Sequence, residues 1–261
     1  MPDDHNPDRD KKPLADLLLS IADDKLILGH RNADWTGLAP ILEEDIAYSS
    51  LAQDEIAHAS AFYDLAARLI GTTADRLAYG RAVTDYRCAE LVEFSDEFDW
   101  ALALARSFYC DHFDRARLER MAKSKYRPLA ELASRLAAEE QIHVDHVDSW
   151  IHRLGRGGNE ARERIQNALN RVGAMAPTLF ESNDSIRECE RLGYYPGDEK
   201  SMYDTWLDGL RAVAQKAGLT VNVPAPDPSQ HGGRRGHHGA GFAALIDELT
   251  EVYRIEPEAA W

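Results

Sequence analysis

Apolar residues recur at helical spacing along most of the chain. Leu14, Leu17, Ile21 and Leu28 make one stripe and predict a helix from Pro13 to about Asn32, with Pro13 suited to the first turn. Gly37 and Pro40 interrupt the pattern and predict a turn over Asp34 to Pro40. A second helix follows over Ile41–Ile70, with Tyr48, Leu51, Phe62, Leu65 and Leu69 inward and Gly71 as the stop. After an irregular connection over residues 71–83, Trp100, Leu104, Leu118 and Met121 mark a third helix from Glu93 or Asp96 to Met121. Pro128 opens a fourth, whose inner face is Leu129, Leu132, Leu136, Val147, Trp150 and Leu154, closed by Gly155, Gly157 and Gly158. Further helices are expected over Glu160–Leu179, Ser201–Ala217 and Phe242–Tyr253, with a long loop from Thr220 to Ala240. No segment alternates as a strand does. The expected class is all-alpha: one domain over residues 1–261, made of a charged tail (1–12), a four-helix bundle (13–155) and additional C-terminal helices with a basic loop (156–261).

The interruptions of those stripes carry the chemistry. Glu55 and His58 form one Glu-x-x-His, and Glu140 and His143 form another. Residues three apart share a helical face, so each pair presents a carboxylate and an imidazole inward. In a bundle, two such pairs and one carboxylate from each remaining helix build a carboxylate-bridged centre for two metal ions. Glu55 lies 15 residues past Pro40, or about 22 Å along its helix at roughly 1.5 Å per residue. The same height on the antiparallel first helix selects Asp24, with Asp23 as competitor. The third helix offers Asp111, with Asp114 one step along the same face. Asp24 to Glu55 spans 31 residues and Asp111 to Glu140 spans 29, as two similar hairpins would give. The expected ligands are therefore Asp24, Glu55, His58, Asp111, Glu140 and His143. Oxygen and nitrogen donors suit iron, with manganese as the other candidate, and reduced iron with open positions would take dioxygen as co-substrate. Six ionisable groups facing a core are costly unless paired or metal-bound, so a buried ion-pair network is the competing reading.

Other polar residues have plainer readings. Glu139 and Asp54 adjoin the two glutamates but lie about 100° around the helix, so they are not equivalent ligands. His146 reads as a surface group. Glu43, Glu44 and Asp45 read as solvent-exposed first-turn acids. Tyr48 and Tyr109 read as packing. Arg234 and Arg235, with His231, His237 and His238, form the one concentrated basic feature, either a solvated loop or a contact for an anionic ligand such as an acyl-CoA. The net charge of −15 disfavours nucleic acid and anionic membrane as partners. The three cysteines have no metal-ligand or disulfide spacing, the N-terminal residues lack a signal's apolar run, and no stretch reads as a membrane span. A cytoplasmic location is expected, with no Rossmann or P-loop fingerprint.

The segments LSIADDKLILGHRNADWTGLAPILEEDIA, HVDHVDSWIHRLG and HGGRRGHH…IDELTEVYRIEPEAAW resemble the phenylacetic acid catabolic family over nearly the whole chain, and its C-type members in particular. The run Gly29–Glu43 is the most specific part. The resemblance implies a ferritin-like fold and a link to multicomponent phenylacetyl-CoA epoxidases, in which a di-iron catalytic component oxygenates the ring and a reductase supplies electrons. It also implies a homo- or hetero-oligomer with a related ferritin-like partner. The C-type members are structural partners that have largely lost their metal ligands. This chain departs from them at Asp24, Glu55, His58 and Glu140, where they carry non-ligating residues, while Asp111 has an acidic match. Two roles are thus expected: a di-iron, dioxygen-activating monooxygenase acting on an aromatic acyl-CoA, or a non-catalytic subunit of such a complex.

Overall fold

The computed structural model describes residues 7–227, 229, 231–257 and 259. Its helices are α1 (Pro7–Ala33), α2 (Leu42–Ile70), α3 (Ala74–Tyr79), α4 (Glu90–Glu93), α5 (Trp100–Met121), α6 (Arg127–Gly155), α7 (Asn159–Gly173), α8 (Asp184–Leu192), α9 (Glu199–Lys216), α10 (Phe242–Leu249) and α11 (Glu251–Ile255). Among the described residues there is no strand. The architecture is an all-alpha, ferritin-like bundle. The hairpin α1–α2 packs against the hairpin α5–α6, while α7 and α9 cover α5 and α6, and α8 lies on α1.

Local chemistry sets the boundaries. Gly71 ends α2 in the left-handed conformation (φ 74°) and returns its N–H to the Ala67 carbonyl. The Asp99 carboxylate accepts from the N–H groups of Ala101 and Leu102 at the start of α5. Several elements differ from expectation: α5 starts at Trp100 and not at Glu93 or Asp96, a short α4 precedes it, the helix expected over Glu160–Leu179 ends at Gly173, and the last expected helix is split into α10 and α11. Helix α1 begins at Pro7, so residues 7–12 are helical and Pro13 lies inside the helix; residues 1–6 of the expected tail lie outside the described residues. Residues 184–192 form α8, which the stripes did not mark; Asn183 caps it and Gly193 (φ 76°) ends it.

The core divides into two apolar clusters. One holds Trp35, Tyr48, Leu104, Phe108, Val147 and Ile151. The other holds Leu17, Ile21, Phe62, Leu118, Leu132 and Leu136. Every long helix of the bundle contributes to both, and every one breaks its apolar stripe between them. The breaks are Asp24–Lys25, Glu55–His58, Asp111–Asp114 and Glu140–His143, all buried. A charged layer therefore crosses the bundle between two greasy ones.

Gly29 lets α1 and α2 approach at that height. A Cβ there would meet Ile56 Cγ1 at 2.7 Å, the Ala52 carbonyl at 3.1 Å and Glu55 Cβ at 3.2 Å. Gly29→Val is expected to lose stability at the upper end of the roughly 1–3 kcal/mol typical of overpacking. Urea denaturation checks this; an unchanged midpoint would mean that the hairpin tolerates a wider spacing.

Candidate metal centre

The layer is organised around a side chain that the stripes did not single out. Lys25 is 1% exposed. Its Nζ lies 2.6 Å from Glu140 Oε2, 3.0 Å from Glu55 Oε2 and 2.7 Å from Asp114 Oδ2. Burial disfavours the ammonium, but the charges of Asp114, Glu140 and Glu55 outweigh it and raise the lysine well above its ordinary value. This is a permanent cation at the centre of three carboxylates.

The histidines approach from the other side. His143 Nδ1 is 3.4 Å from Glu55 Oε1 and 4.0 Å from Glu140 Oε1. Its Nε2 faces Asp54 Oδ2 at 3.4 Å. His58 is arranged in mirror fashion, its Nε2 2.7 Å from Glu139 Oε2 and its Nδ1 3.9 Å from Glu140 Oε2. Each helix therefore supplies an outer carboxylate that turns the other helix's imidazole, Asp54 for His143 and Glu139 for His58. Such outer partners fix which ring nitrogen points inward. The sequence signal was there: each outer acid directly precedes an inner glutamate, in Asp54-Glu55 and in Glu139-Glu140.

The imidazoles differ in charge. Burial, followed by the nearby Lys25, depresses His58, and its Nδ1 has no hydrogen-bond partner among the described residues. His143 loses something to burial, but contact with Glu55 and the charges of Glu140, Glu55 and Asp111 push it up to about 10. Burial raises Glu55 too, yet Lys25 and both histidines hold it down at about 2. Burial dominates at Glu140 and lifts it to about 7 against the pull of Lys25. Asp111 is raised well above its ordinary value by burial and then by Glu140.

Asp24 does not join this group. It is buried, but Arg234 grips it from both sides, Nη1 to Oδ1 at 2.9 Å and Nη2 to Oδ2 at 2.7 Å. Arg117 donates to Oδ2 at 2.7 Å and the Ala89 N–H to Oδ1 at 2.8 Å. Its lone pairs are taken. The competitor Asp23 is likewise held, by Tyr63, Arg81 and the Arg87 N–H. On α5, Asp114 is the residue beside Lys25, and it also pairs with Arg117. Asp111 is 5% exposed and acts electrostatically on Glu140, His143 and Glu55.

The expected centre of two ions does not fit these positions. Five carboxylates, Asp23, Asp24, Glu55, Asp114 and Glu140, are already ion-paired with the fixed cations Lys25, Arg81, Arg117 and Arg234. One of the two metal positions is filled by an ammonium, and its expected aspartate ligand is committed to two guanidinium groups. The other half retains its donors: single ligand atoms of Glu55, Glu140 and His143 all lie within 4.8 Å of one another.

Other polar residues also depart from their expected settings. The basic loop does not present Arg234 outward, since the side chain is 3% exposed and also donates to the carbonyls of Ser20 and Arg87. Arg235 donates to the Ser182 carbonyl, and His238 contacts Glu93 and stacks on Phe242, while His231 and His237 are exposed. Glu44 and His146 are not solvated separately: Glu44 is buried and pairs with His146 at 2.8 Å. Tyr48 and Tyr109 are packing residues, with hydroxyls at Ser107 and the Leu169 carbonyl.

Comparison with known proteins agrees with the fold. The family model described as phenylacetic acid catabolic protein matches residues 1–261. The chain belongs to this family. It is 27% identical over 249 residues to the C-type subunit of the 1,2-phenylacetyl-CoA epoxidase of Escherichia coli (strain K12), covering 95% of this chain and 99% of that protein. No helix of the described residues is long and apolar enough to cross a membrane.

Proposed function

We propose that the chain is a non-catalytic, assembly-forming subunit of a phenylacetyl-CoA epoxidase-type oxygenase. The observation that carries this reading is the Lys25 ammonium between Glu55, Glu140 and Asp114. Activation of dioxygen on a carboxylate-bridged pair of iron ions needs both metal positions, and here one is occupied by the protein's own cation. The reductase and the acyl-CoA then act on a related ferritin-like partner that carries both ions. The family match and the similarity to one subunit of an epoxidase support membership of such a complex.

The surface supports a partner as well. Leu38, Ile41, Leu42 and Ile46, around the start of α2, are 59%, 40%, 70% and 64% exposed. Leu42 and Ile46 are one helical turn apart and form an apolar ridge, a feature more typical of interfaces than of free surfaces. Co-expression with a di-iron subunit of the same oxygenase family is expected to give a heteromer on size-exclusion chromatography. Leu42→Asp with Ile46→Asp should split it while leaving the helical circular dichroism intact. Oxygenation of phenylacetyl-CoA by this chain alone, supplied with iron and a reductant, would overturn the proposal.

A further inference from the structure

The half of the charged layer that Lys25 leaves open has the make-up of a single-ion site. We propose that one divalent first-row transition-metal ion binds between Glu55, Glu140 and His143, with the Lys25 ammonium acting as the second cation of a carboxylate-bridged pair. The proposal deepens the subunit reading and rests on it: a lone ion beside a fixed ammonium ties α2 to α6 as a structural clamp.

The spacing of the donors suits one ion. Metal–ligand bonds of about 2.0–2.2 Å place two ligands of the same ion roughly 3–4 Å apart. His143 Nδ1 is 3.4 Å from Glu55 Oε1 and 4.0 Å from Glu140 Oε1, within that range. The two oxygens of Glu140 have separate surroundings. Oε2 faces Lys25 at 2.6 Å, whereas Oε1 is buried and has no hydrogen-bond partner among the described residues. A buried, unpartnered carboxylate oxygen is costly and marks a missing cation on that side. Glu140 thus bridges the ammonium through one oxygen and the ion through the other, while Glu55 lies against Lys25 with both oxygens and presents Oε1 to His143 as well. Asp54 turns His143 so that Nδ1 faces the same point. Asp111, buried nearby, offers a further oxygen. Nitrogen and oxygen donors of this kind suit manganese, iron, cobalt or zinc.

A second grouping, Cys88, Glu93 and His238, does not compete. Both ring nitrogens of His238 are engaged, Nδ1 with Glu93 at 2.6 Å and Nε2 with the Tyr86 carbonyl at 3.2 Å. Glu93 also has partners on both oxygens, His238 on Oε1 and the Gly239 N–H on Oε2, so no carboxylate oxygen there is left without a partner as Glu140 Oε1 is.

The test uses the full-length chain, stripped with a chelator and titrated anaerobically with Co²⁺. One ion per chain is expected, with visible d–d absorption and no thiolate charge-transfer band, together with a rise in the unfolding temperature. Glu140→Gln and His143→Asn should each abolish binding, with circular dichroism confirming that the variants are folded. If either fails to fold, the wild-type stoichiometry and spectrum still decide. No bound ion, two bound ions, or a charge-transfer band reporting Cys88 would each overturn the single-ion site. Absence of the ion would leave the subunit role standing; oxygenation by the chain alone would remove that role whatever the stoichiometry.

Discussion

Lys25→Met is expected to cost the metal-free protein about 3–5 kcal/mol, the usual penalty for removing one partner of a buried ion pair. The methionine fits the lysine's apolar stem, so the loss isolates the charge. Without the ammonium, Glu55 and Glu140 face each other with no fixed cation between them, while Asp114 retains Arg117. The same substitution should create a metal position. Glu55, Glu140, Asp114 and the unpartnered Nδ1 of His58 then surround the vacated point. Divalent metal is therefore expected to restore much of the lost stability, and the stoichiometry should rise from one ion per chain to two. Urea unfolding with and without Co²⁺ reads the stability changes, and anaerobic Co²⁺ titration reads the stoichiometry. Lys200→Met is the control, because Lys200 is 79% exposed and pairs at the surface with Asp204. A Lys25→Met protein as stable as wild type, with unchanged metal uptake, would show that the ammonium is not held in the cage.

Arg234→Ala is expected to destabilise by a similar amount, about 3–5 kcal/mol. Arg234 ties the C-terminal loop to a buried charge of the bundle. Its guanidinium chelates Asp24 and also donates to the carbonyls of Ser20 and Arg87. Truncation leaves Asp24 with Arg117 and the Ala89 N–H alone, and two carbonyls without that donor. The loop should detach as well, since Gly232 and Arg234 reach Glu181 through their backbone N–H groups over the same short stretch. Limited proteolysis of the variant is expected to cut within residues 226–241 faster than in wild type. Equal stability and equal protease resistance would mean that Arg117 alone satisfies Asp24. Arg235→Ala, which removes a partly exposed side chain, should have a much smaller effect.

The periodicity of the chain exposed the bundle and most of its inner layer. Glu55, His58, Glu140, His143 and Asp111 are all buried at one height, because a polar residue that interrupts an apolar stripe in each of four helices has nowhere else to point. Asp24 was correctly expected inside, yet its partners were not legible. Arg117 comes from another helix and Arg234 from 210 residues away, and no local pattern announces either. Lys25 was hidden for a different reason. It lies on the apolar stripe, four residues after Ile21 and three before Leu28, but a lysine there ordinarily carries its ammonium out to solvent. Its burial depends on three carboxylates from three other helices, a tertiary fact. The outer acids Asp54 and Glu139 were assigned correctly as non-equivalent to the inner glutamates, but their task across the α2–α6 interface needed the assembled pair of helices.

The most direct measurement is anomalous diffraction from crystals of the full-length protein soaked in Mn²⁺. One peak per chain is predicted, between Glu55, Glu140 and His143, with the Lys25 ammonium still seated against Glu140 and Asp114. Two peaks, with Lys25 swung out of the layer and Asp24 released from Arg234 to ligate, would contradict this and restore a two-metal centre to the chain.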